Sequence, residues 1–242
     1  CWVTLMNKRI FCYAMAPFIT SRCYEQIKCS VAAMDRPVCL VGIGVGLGYA
    51  DAGPTHYTTE DIATMRVFPN IEILTPSDVP SMKKIINDIL KKPRFCFLRL
   101  DRDVMQNIYS HKIRFNLKNG FTKLLSGNKK CVISSGFLLN KIYQKLKINN
   151  PKKIGLIDLY RIKPLNKSFL KSIKNYDEII TIEEQWIDGG FGSAILEYLS
   201  KNGLNKKVVR HGLNEKYYFE NGGREYLHKK FGLNIDRILK KI

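Results

Sequence analysis

The stretch that most constrains the fold runs from residue 41 to residue 76, VGIGVGLGYADAGPTHYTTEDIATMRVFPNIEILTP. An apolar run of strand length, residues 38–41, leads into it, and glycines follow at positions 42, 44, 46, 48 and 53. Glycine removes the side chain where a backbone must turn sharply or approach a ligand closely. The stretch therefore predicts a buried strand that ends in a loop against which a ligand can lie.

The second half of the same stretch places a histidine shortly before a predicted helix. Thr58, with acidic residues at positions 60 and 61, matches a helix N-cap, and Ile62 and Met65 fall on one apolar face. We expect His56 to lie just before this helix N-terminus. The unpaired backbone N–H groups there would disfavour a charged imidazole ring.

Strand-length apolar runs alternate with helical patterns along most of the chain. The strands predicted for the first half are residues 9–16, 37–42, 71–75 and 94–100. Pro17 predicts the start of a helix that continues to about residue 34, and Ser77 and Asp78 offer caps to a helix over residues 79–90. The strands predicted for the second half are residues 130–135, 153–158, 178–183 and 207–210. Strands separated by helices of this length imply parallel sheets, so we predict an α/β fold.

The alternation weakens between residues 103 and 128, where short polar and apolar segments suggest a linker and a first hairpin. We therefore expect two domains, each a mostly parallel sheet flanked by helices. The predicted boundaries are residues 1–105 for the first domain, 106–128 for the linker and 129–242 for the second domain. Glycines 189, 190 and 192 in the second domain indicate a turn and close helix packing, since three glycines alone are a weak phosphate-loop signal.

Composition narrows the class of protein. The chain has 242 residues, of which 45% are hydrophobic, and this is enough for ordinary buried cores. No apolar run approaches the roughly 20 residues that cross a bilayer, and the start CWVTLMNKRI has neither a signal-peptide pattern nor an initiating methionine. The seven cysteines form no C-x-x-C pair, so we expect buried thiols and a cytoplasmic location.

The formal net charge of +19 raises the question of an anionic partner. Paired lysines such as residues 83–84, 129–130 and 206–207 stand at element ends and on polar helix faces. This dispersed pattern is more typical of a lysine-rich composition than of a nucleic-acid patch. We predict no nucleic-acid partner and no membrane partner, while a mild attraction for phosphorylated sugars remains.

Three longer motifs resemble the C-terminal half of the transketolase family. The run GPTHYTTEDIATMRVFPNIEILTPSD, residues 53–78, is similar to the family signature G-P-T-H, E-D-x-A-x-M-R, P-N and T/A-P-x-D. APFITSRCYEQI, residues 16–27, resembles the family segment A-x-F-x-T-x-R-x-Y-D/E-Q-I, and most resembles the separate C-terminal subunits of two-chain bacterial transketolases. Glu183 and Glu184, followed by GGFGSA at residues 189–194, are similar to the family's E-E and G-G-x-G-S motifs.

The resemblance implies a partial pyrimidine-binding domain followed by a transketolase C-terminal domain, in a transferase that moves a two-carbon ketol unit between phosphorylated sugars. It implies thiamine diphosphate as cofactor. The family's catalytic glutamate and the G-D-G segment that holds the diphosphate and Mg²⁺ have no counterpart in this sequence. The resemblance therefore implies a partner chain or N-terminal half that carries the diphosphate site and the magnesium, in a homodimer or a heterotetramer.

Four residues take candidate roles from the resemblance. Phe18 matches the aromatic residue that packs on the aminopyrimidine ring, His56 the catalytic histidine on the substrate side, and Arg102 the arginine that binds the substrate's distal phosphate. The family commonly has Asp four residues before the histidine. Here Ala52 takes that position and Asp51 lies one residue earlier, so Asp51 is the candidate substrate-binding acid.

Structural roles also suit these residue types. Phe18 can be a core residue and His56 can anchor a loop. Arg102 can pair with its neighbours Arg99 and Asp101 instead of a substrate. Other functions also stay open. A 1-deoxyxylulose-5-phosphate synthase and the β subunit of the first component of a 2-oxo acid dehydrogenase resemble the same fold. A noncatalytic remnant that stabilises another subunit or binds an anionic polymer belongs to a different class.

Overall fold

Two five-stranded sheets form in the computed structural model, which describes residue 6 and residues 8–242. Residues 1–5 and 7 of the predicted first domain lie outside the described part. The strands are β1 (Ile10–Met15), β2 (Val38–Ile43), β3 (Glu72–Leu74), β4 (Cys96–Leu100), β5 (Thr122–Leu125), β6 (Lys130–Ser134), β7 (Gly155–Asp158), β8 (Arg161–Lys163), β9 (Glu178–Trp186) and β10 (Lys207–Leu213). Both sheets are mostly parallel, so the predicted α/β class is confirmed.

The first sheet has the strand order β1-β2-β4-β3-β8. The first four strands run parallel, whereas β8 pairs antiparallel with β3 through Ile73 and Lys163. Strand β8 comes from the range that we expected to form the second domain alone. The two halves of the chain therefore share one sheet edge.

The second sheet has the order β10-β9-β6-β7-β5 and is parallel except for β5. Strand β5 lies in the range predicted as a linker and hairpin, but it pairs with β7 instead of its chain neighbour β6. The reason is that β6 lies in the middle of the sheet, where β7 and β9 occupy both of its edges. The predicted hairpin is therefore wrong.

Helices cover the sheets and connect their parallel strands. They are α1 (Ala16–Ile19), α2 (Tyr24–Ile27), α3 (Asp61–Met65), α4 (Val79–Lys91), α5 (Gly136–Ile148), α6 (Lys167–Ile173), α7 (Phe191–Lys201), α8 (Gly223–Lys230) and α9 (Ile235–Lys241). The continuous helix predicted from Pro17 is divided instead, with a 3₁₀ turn at Ser21–Cys23 and a π turn at Lys28–Ala32. The first division follows Thr20, whose hydroxyl donates back to the Ala16 carbonyl at 2.7 Å.

One predicted helix cap is wrong and another is confirmed. Helix α3 begins at Asp61 after the N-cap Glu60, because Thr58 is held in an extended bridge with Gly46. His56 therefore does not adjoin a helix N-terminus. Asp78 does cap α4, where its carboxylate accepts the Ser81 N–H at 2.8 Å.

A buried carboxylate joins the two halves of the chain. Asp158, at the end of β7, accepts hydrogen bonds from the Ser77 hydroxyl at 2.9 Å and the Tyr109 hydroxyl at 2.7 Å. Burial raises the pKa of Asp158 to about 8. Three segments that lie far apart in the chain thus meet at one acid.

Two further observations bear on the class of the protein. Among the described residues, Cys39, Cys96 and Cys131 are buried and free, as predicted, whereas Cys12 and Cys23 are half-buried and Cys29 is exposed. Across residue 6 and residues 8–242, no helix combines the length and the apolar composition that a membrane crossing requires.

Candidate functional site

The candidate site lies at the carboxyl edge of the first sheet. Strands β2 and β4 are parallel neighbours, so the loops that follow them leave the sheet side by side. Strand β2 leads into the glycine loop, residues 44–58, and β4 leads into residues 101–103. The N–H groups of Gly44 and Val45 donate to the Leu100 carbonyl at 2.8 and 3.3 Å. These bonds fasten the glycine loop to the end of β4.

The glycine loop needs a glycine at position 46 for two reasons. Its φ angle is +63°, a conformation that other residues rarely adopt, and a Cβ atom there would lie 2.3 Å from the Glu184 carboxylate. The loop then returns by pairing with Thr58, since the N–H groups of Gly46 and Thr58 donate to each other's carbonyls at 3.2 and 2.9 Å. His56 lies in this returning segment and is half-buried.

Two aromatic rings lie beside the predicted histidine. The His56 ring meets Phe18 edge to face with 5.3 Å between ring centroids, and Tyr49 lies 6.3 Å away on a tilted plane. Nδ1 of His56 shares a hydrogen bond of 2.8 Å with the Thr55 hydroxyl, which orients the imidazole. Phe18 is half-buried, and the guanidinium of exposed Arg22 lies over its ring at 4.0 Å.

Arg102 reaches the same group of residues from the β4 side. Its Nη1 lies 2.9 Å from Oδ1 of Asp51, and its guanidinium lies 4.7 Å from the Tyr49 ring centroid. The alternative partners left open by the sequence do not bind Arg102. Arg99 forms a fork with the carboxylate of Asp61 at 2.7 and 3.0 Å, and Asp101 pairs with Arg224.

We call Phe18, Tyr49, Asp51, His56 and Arg102 the site cluster. The structure brings all four sequence-predicted residues into this one chain of contacts, and their chemical roles stay predictions. Sequence reasoning missed Tyr49, which lies inside the glycine loop. A lone aromatic residue among glycines was the available signal.

Residues of the second domain hold the glycine loop through hydrogen bonds. At the end of β9, Oε2 of Glu184 accepts the Leu47 N–H at 3.3 Å, and Gln185 donates to the Thr58 carbonyl at 2.8 Å. The Trp186 N–H donates to the Thr59 carbonyl at 3.0 Å. These contacts hold both arms of the loop that carries His56.

Glu183, the neighbour of Glu184, binds its own domain instead. Its carboxylate accepts the N–H groups of Phe191 and Gly192 at 2.6 and 2.9 Å, at the start of α7. A Cβ atom on Gly190 would lie 2.3 Å from this carboxylate, so the glycine is needed for close packing. Burial raises the pKa of Glu183 to about 8 despite these bonds.

A buried ionic cluster lies beneath the site cluster, and we call Asp101, Glu184, Arg224 and His228 the Arg224 hub. Nη1 and Nη2 of Arg224 donate to Asp101 at 2.8 and 2.7 Å, and its Nε donates to Glu184 at 2.8 Å. His228 contacts Glu184 through Nε2. Burial opposes ionisation of Glu184, but the charges of Arg224 and His228 hold the pKa of its carboxyl well below its usual range.

Comparison with known proteins matches two family models to the chain. The family model described as transketolase, pyrimidine binding domain matches residues 3–107, and the model described as transketolase, C-terminal domain matches residues 123–238. A solved structure titled split gene transketolase, inactive beta4 tetramer has a TM-score of 0.83 and 25% sequence identity. The match covers 99% of this chain and 76% of that chain.

Two kinds of curated relative match over most of the chain. One of the subunits of the apulose-4-phosphate transketolase of Phocaeicola vulgatus is 27% identical over 238 residues, which cover 97% of this chain and 75% of that protein. The 1-deoxy-D-xylulose-5-phosphate synthase of Aquifex aeolicus is 25% identical over 227 residues, which cover 91% of this chain. The chain spans only 35% of that synthase.

Proposed function

The chain belongs to the transketolase family, and we propose that it is the C-terminal subunit of a two-chain enzyme that transfers a two-carbon ketol unit between phosphorylated sugars. The observation that carries this proposal is the site cluster, where Phe18, His56 and Arg102 come together at one sheet edge. The similar extent of the transketolase subunit from Phocaeicola vulgatus supports a separate chain.

Thiamine diphosphate is the cofactor that fits this half. When bound, it supplies the electron sink for breaking and forming a carbon–carbon bond beside a carbonyl. Phe18 would pack against the aminopyrimidine ring. In the structure the exposed Arg22 guanidinium covers the Phe18 ring, and this contact contributes only about 0.5 to 1 kcal/mol. A flat heterocycle can displace it. The diphosphate and the magnesium would belong to the N-terminal partner.

His56 would handle protons on the substrate. Imidazole donates and accepts protons near neutral pH, and the Thr55 bond to Nδ1 leaves the ring oriented among Phe18 and Tyr49. A substrate hydroxyl that lies against Phe18 would come within reach of this ring. We assign His56 the transfer of a proton to and from that hydroxyl.

Arg102 would bind the distal phosphate of the sugar. The planar guanidinium forms paired hydrogen bonds with phosphate oxygens, and a phosphate carries more charge than the Asp51 carboxylate that now faces it. The Arg102 to Asp51 pair is exposed, with 39% and 68% of the side chains accessible, so its loss costs little. Asp51 would hold Arg102 over Tyr49 until a substrate arrives.

The partner in this proposal is an N-terminal transketolase subunit, in a heterotetramer or a homodimer of paired halves, and the location is cytoplasmic. A solved structure whose title names a split gene transketolase supports a partner chain. We propose no nucleic-acid or membrane partner. The matches to 1-deoxy-D-xylulose-5-phosphate synthases favour one alternative, that the chain is part of such a synthase.

A reconstitution experiment tests the proposal. The chain is purified with and without the N-terminal subunit, and thiamine diphosphate binding in the presence of Mg²⁺ is measured by calorimetry. We expect no micromolar binding of thiamine diphosphate by the isolated chain. Such binding would overturn the proposal that two chains share the cofactor site. The assembled enzyme should convert a phosphorylated ketose and an aldose acceptor, whereas formation of 1-deoxy-D-xylulose 5-phosphate without ketol transfer would favour the synthase alternative.

A further inference from the structure

Arg224 connects the second domain to both loops that carry the site cluster. We infer that Arg224 is a positioning residue: it fixes the spacing between the glycine loop, which carries His56, and Arg102 at the end of β4. This inference rests on the proposed function for its effect on catalysis. The claim that Arg224 restrains the two loops concerns the isolated chain alone.

The first connection runs to the β4 loop. Arg224 binds both carboxylate oxygens of Asp101 through Nη1 and Nη2, and Asp101 directly precedes Arg102 in the chain. Asp101 also accepts the N–H of Asp103 at 2.9 Å, so the turn after β4 closes around this carboxylate. Fixing Asp101 therefore fixes the point from which the Arg102 side chain extends.

The second connection runs to the glycine loop. Arg224 holds Glu184 through Nε, and Glu184 in turn accepts the Leu47 N–H at 3.3 Å. The absent side chain of Gly46 lets this carboxylate approach the loop backbone. One guanidinium plane thus restrains the backbone on both sides of the site.

Only an arginine can make this arrangement. Its five N–H groups reach Asp101, Glu184 and Asp103, while the Phe137 ring lies 3.5 Å from the guanidinium carbon and fixes its plane. A lysine ammonium is a point charge without this fork. The cavity beside the hub measures about 30 Å³, and Arg224 spends its N–H groups on carboxylates of this chain, so we infer that the hub acts through its neighbours.

The chain offers a matched control at a second ion pair between the domains. Arg66 forms a fork with Glu197 at 2.7 and 2.6 Å and donates to the Gly189 carbonyl at 2.8 Å. This pair joins the same two domains, but Arg66 and Glu197 contact no member of the site cluster in these bonds. Arg66→Lys therefore removes a fork between the domains without touching the site.

Hydrogen exchange of the isolated chain gives the first test, because it needs neither cofactor nor partner. In Arg224→Lys we expect the amides of residues 44–49 and 101–103 to exchange at least about tenfold faster, since hydrogen bonds to charged groups contribute enough for such a change. Arg66→Lys should leave these segments unchanged. Parent-like exchange in Arg224→Lys, or equal acceleration in both variants, would overturn the inference.

Kinetics of the assembled enzyme give the second test. Arg224→Lys should raise the KM for a phosphorylated ketose about tenfold, by misplacing Arg102, and change the KM for an unphosphorylated ketose far less. Arg66→Lys should match the parent for both. Equal effects on the two sugars would mean a general loss of structure and would overturn the inference.

The two tests separate this inference from the proposed function. A parent assembly that transfers no ketol unit defeats the proposed function, while hydrogen exchange still decides whether Arg224 restrains the loops. If Arg224→Lys does not fold, Phe137→Leu keeps every charge of the hub and removes only the ring that orients the guanidinium. That variant should show a smaller acceleration in the same two segments, and unchanged exchange would overturn the inference.

Discussion

Two neighbouring residues, Asp101 and Arg102, belong to opposite electrostatic environments. The Asp101 side chain is 3% exposed and binds Arg224 inside the hub, whereas Arg102 is 39% exposed and binds Asp51 at the surface. Charges that are removed from water interact strongly with each other, and exposed charges are screened. One step along the chain therefore separates a contact that holds the fold from one that a substrate can replace.

This contrast explains how the site tolerates rearrangement. The site cluster consists of ring contacts and one exposed ion pair, so a ligand can displace its members at low cost. The Arg224 hub beneath it has no such freedom, because removal of one charge leaves another buried and unpaired. Substitutions in the two regions should therefore affect different properties of the protein.

The largest effect should follow removal of the hub cation. Arg224→Met leaves Asp101 and Glu184 buried without their partner, and we expect the free energy of unfolding to fall by about 3 to 5 kcal/mol. Urea denaturation followed by circular dichroism measures this change. Arg66→Met is the control and should cost roughly 1 kcal/mol or less, because Glu197 is mostly exposed. Equal losses in the two variants would remove the contrast between buried and exposed pairs.

A catalytic effect without a stability effect should follow substitution of His56. His56→Asn keeps a hydrogen-bonding side chain but relays no proton, so turnover of the assembled enzyme should fall by about 10² to 10⁴. The free energy of unfolding should stay within about 0.5 kcal/mol of the parent, as for other surface changes. Retained turnover, or loss of folding, would make His56 a loop anchor.

A selective effect on binding should follow substitution of Arg102. Arg102→Ala should raise the KM for phosphorylated sugars at least about tenfold, which corresponds to a hydrogen bond with a charged group, and leave unphosphorylated sugars unaffected. Phe18→Ala is the matched control: it should weaken cofactor affinity and keep the discrimination between the two kinds of sugar. Similar KM changes for both sugars in Arg102→Ala would exclude it from the phosphate site.

The last effect appears only as a change of stability with pH, and it concerns a buried acid that has neutral partners instead of charged ones. Asp158 has a folded-state pKa of about 8, against roughly 3.9 when unfolded, so its contribution is complete below pH 4 and is lost as the pH rises toward 8. Glu184 has a lowered pKa, so its contribution is present at neutral pH and lost only in acid.

Asp158→Asn should remove the pH dependence of stability that Asp158 contributes. Between pH 5 and 8 the free energy of unfolding of this variant should fall less steeply with pH than that of the parent. The two slopes should differ by up to about 1.4 kcal/mol per pH unit. Chemical denaturation at several pH values measures the difference. Asp188→Asn, at a mostly exposed carboxylate, should follow the parent curve. Parallel curves for the parent and Asp158→Asn would show that Asp158 is ionised throughout.

Local patterns predicted most of the strands and helices, because apolar periodicity reports which face of an element is buried. They did not predict β5 and β8, which are four and three residues long and depend on pairing with distant strands. The predicted cap at Thr58 was wrong for the same reason, since its bridge to Gly46 is a contact across the loop.

The site divides in the same way. Phe18, His56 and Arg102 were predicted as candidates because each stands in a motif or shortly after a strand, where local sequence carries information, and their roles stay predictions. The hub was not found, since Arg224 meets Asp101 at a separation of 123 residues and nothing near Arg224 in the sequence indicates that contact. Contacts between domains leave little trace in a single sequence.

The late position of the edge strand β8 in the chain affects folding during synthesis. Synthesis proceeds from the N-terminus, so β3 leaves the ribosome with an unpaired edge long before Arg161–Lys163 arrives to cover it. An open strand edge is a template for pairing with other chains. A nascent or truncated chain that stops before residue 161 is therefore exposed to aggregation, and the first half of the molecule is protected only when translation of the second half is well under way.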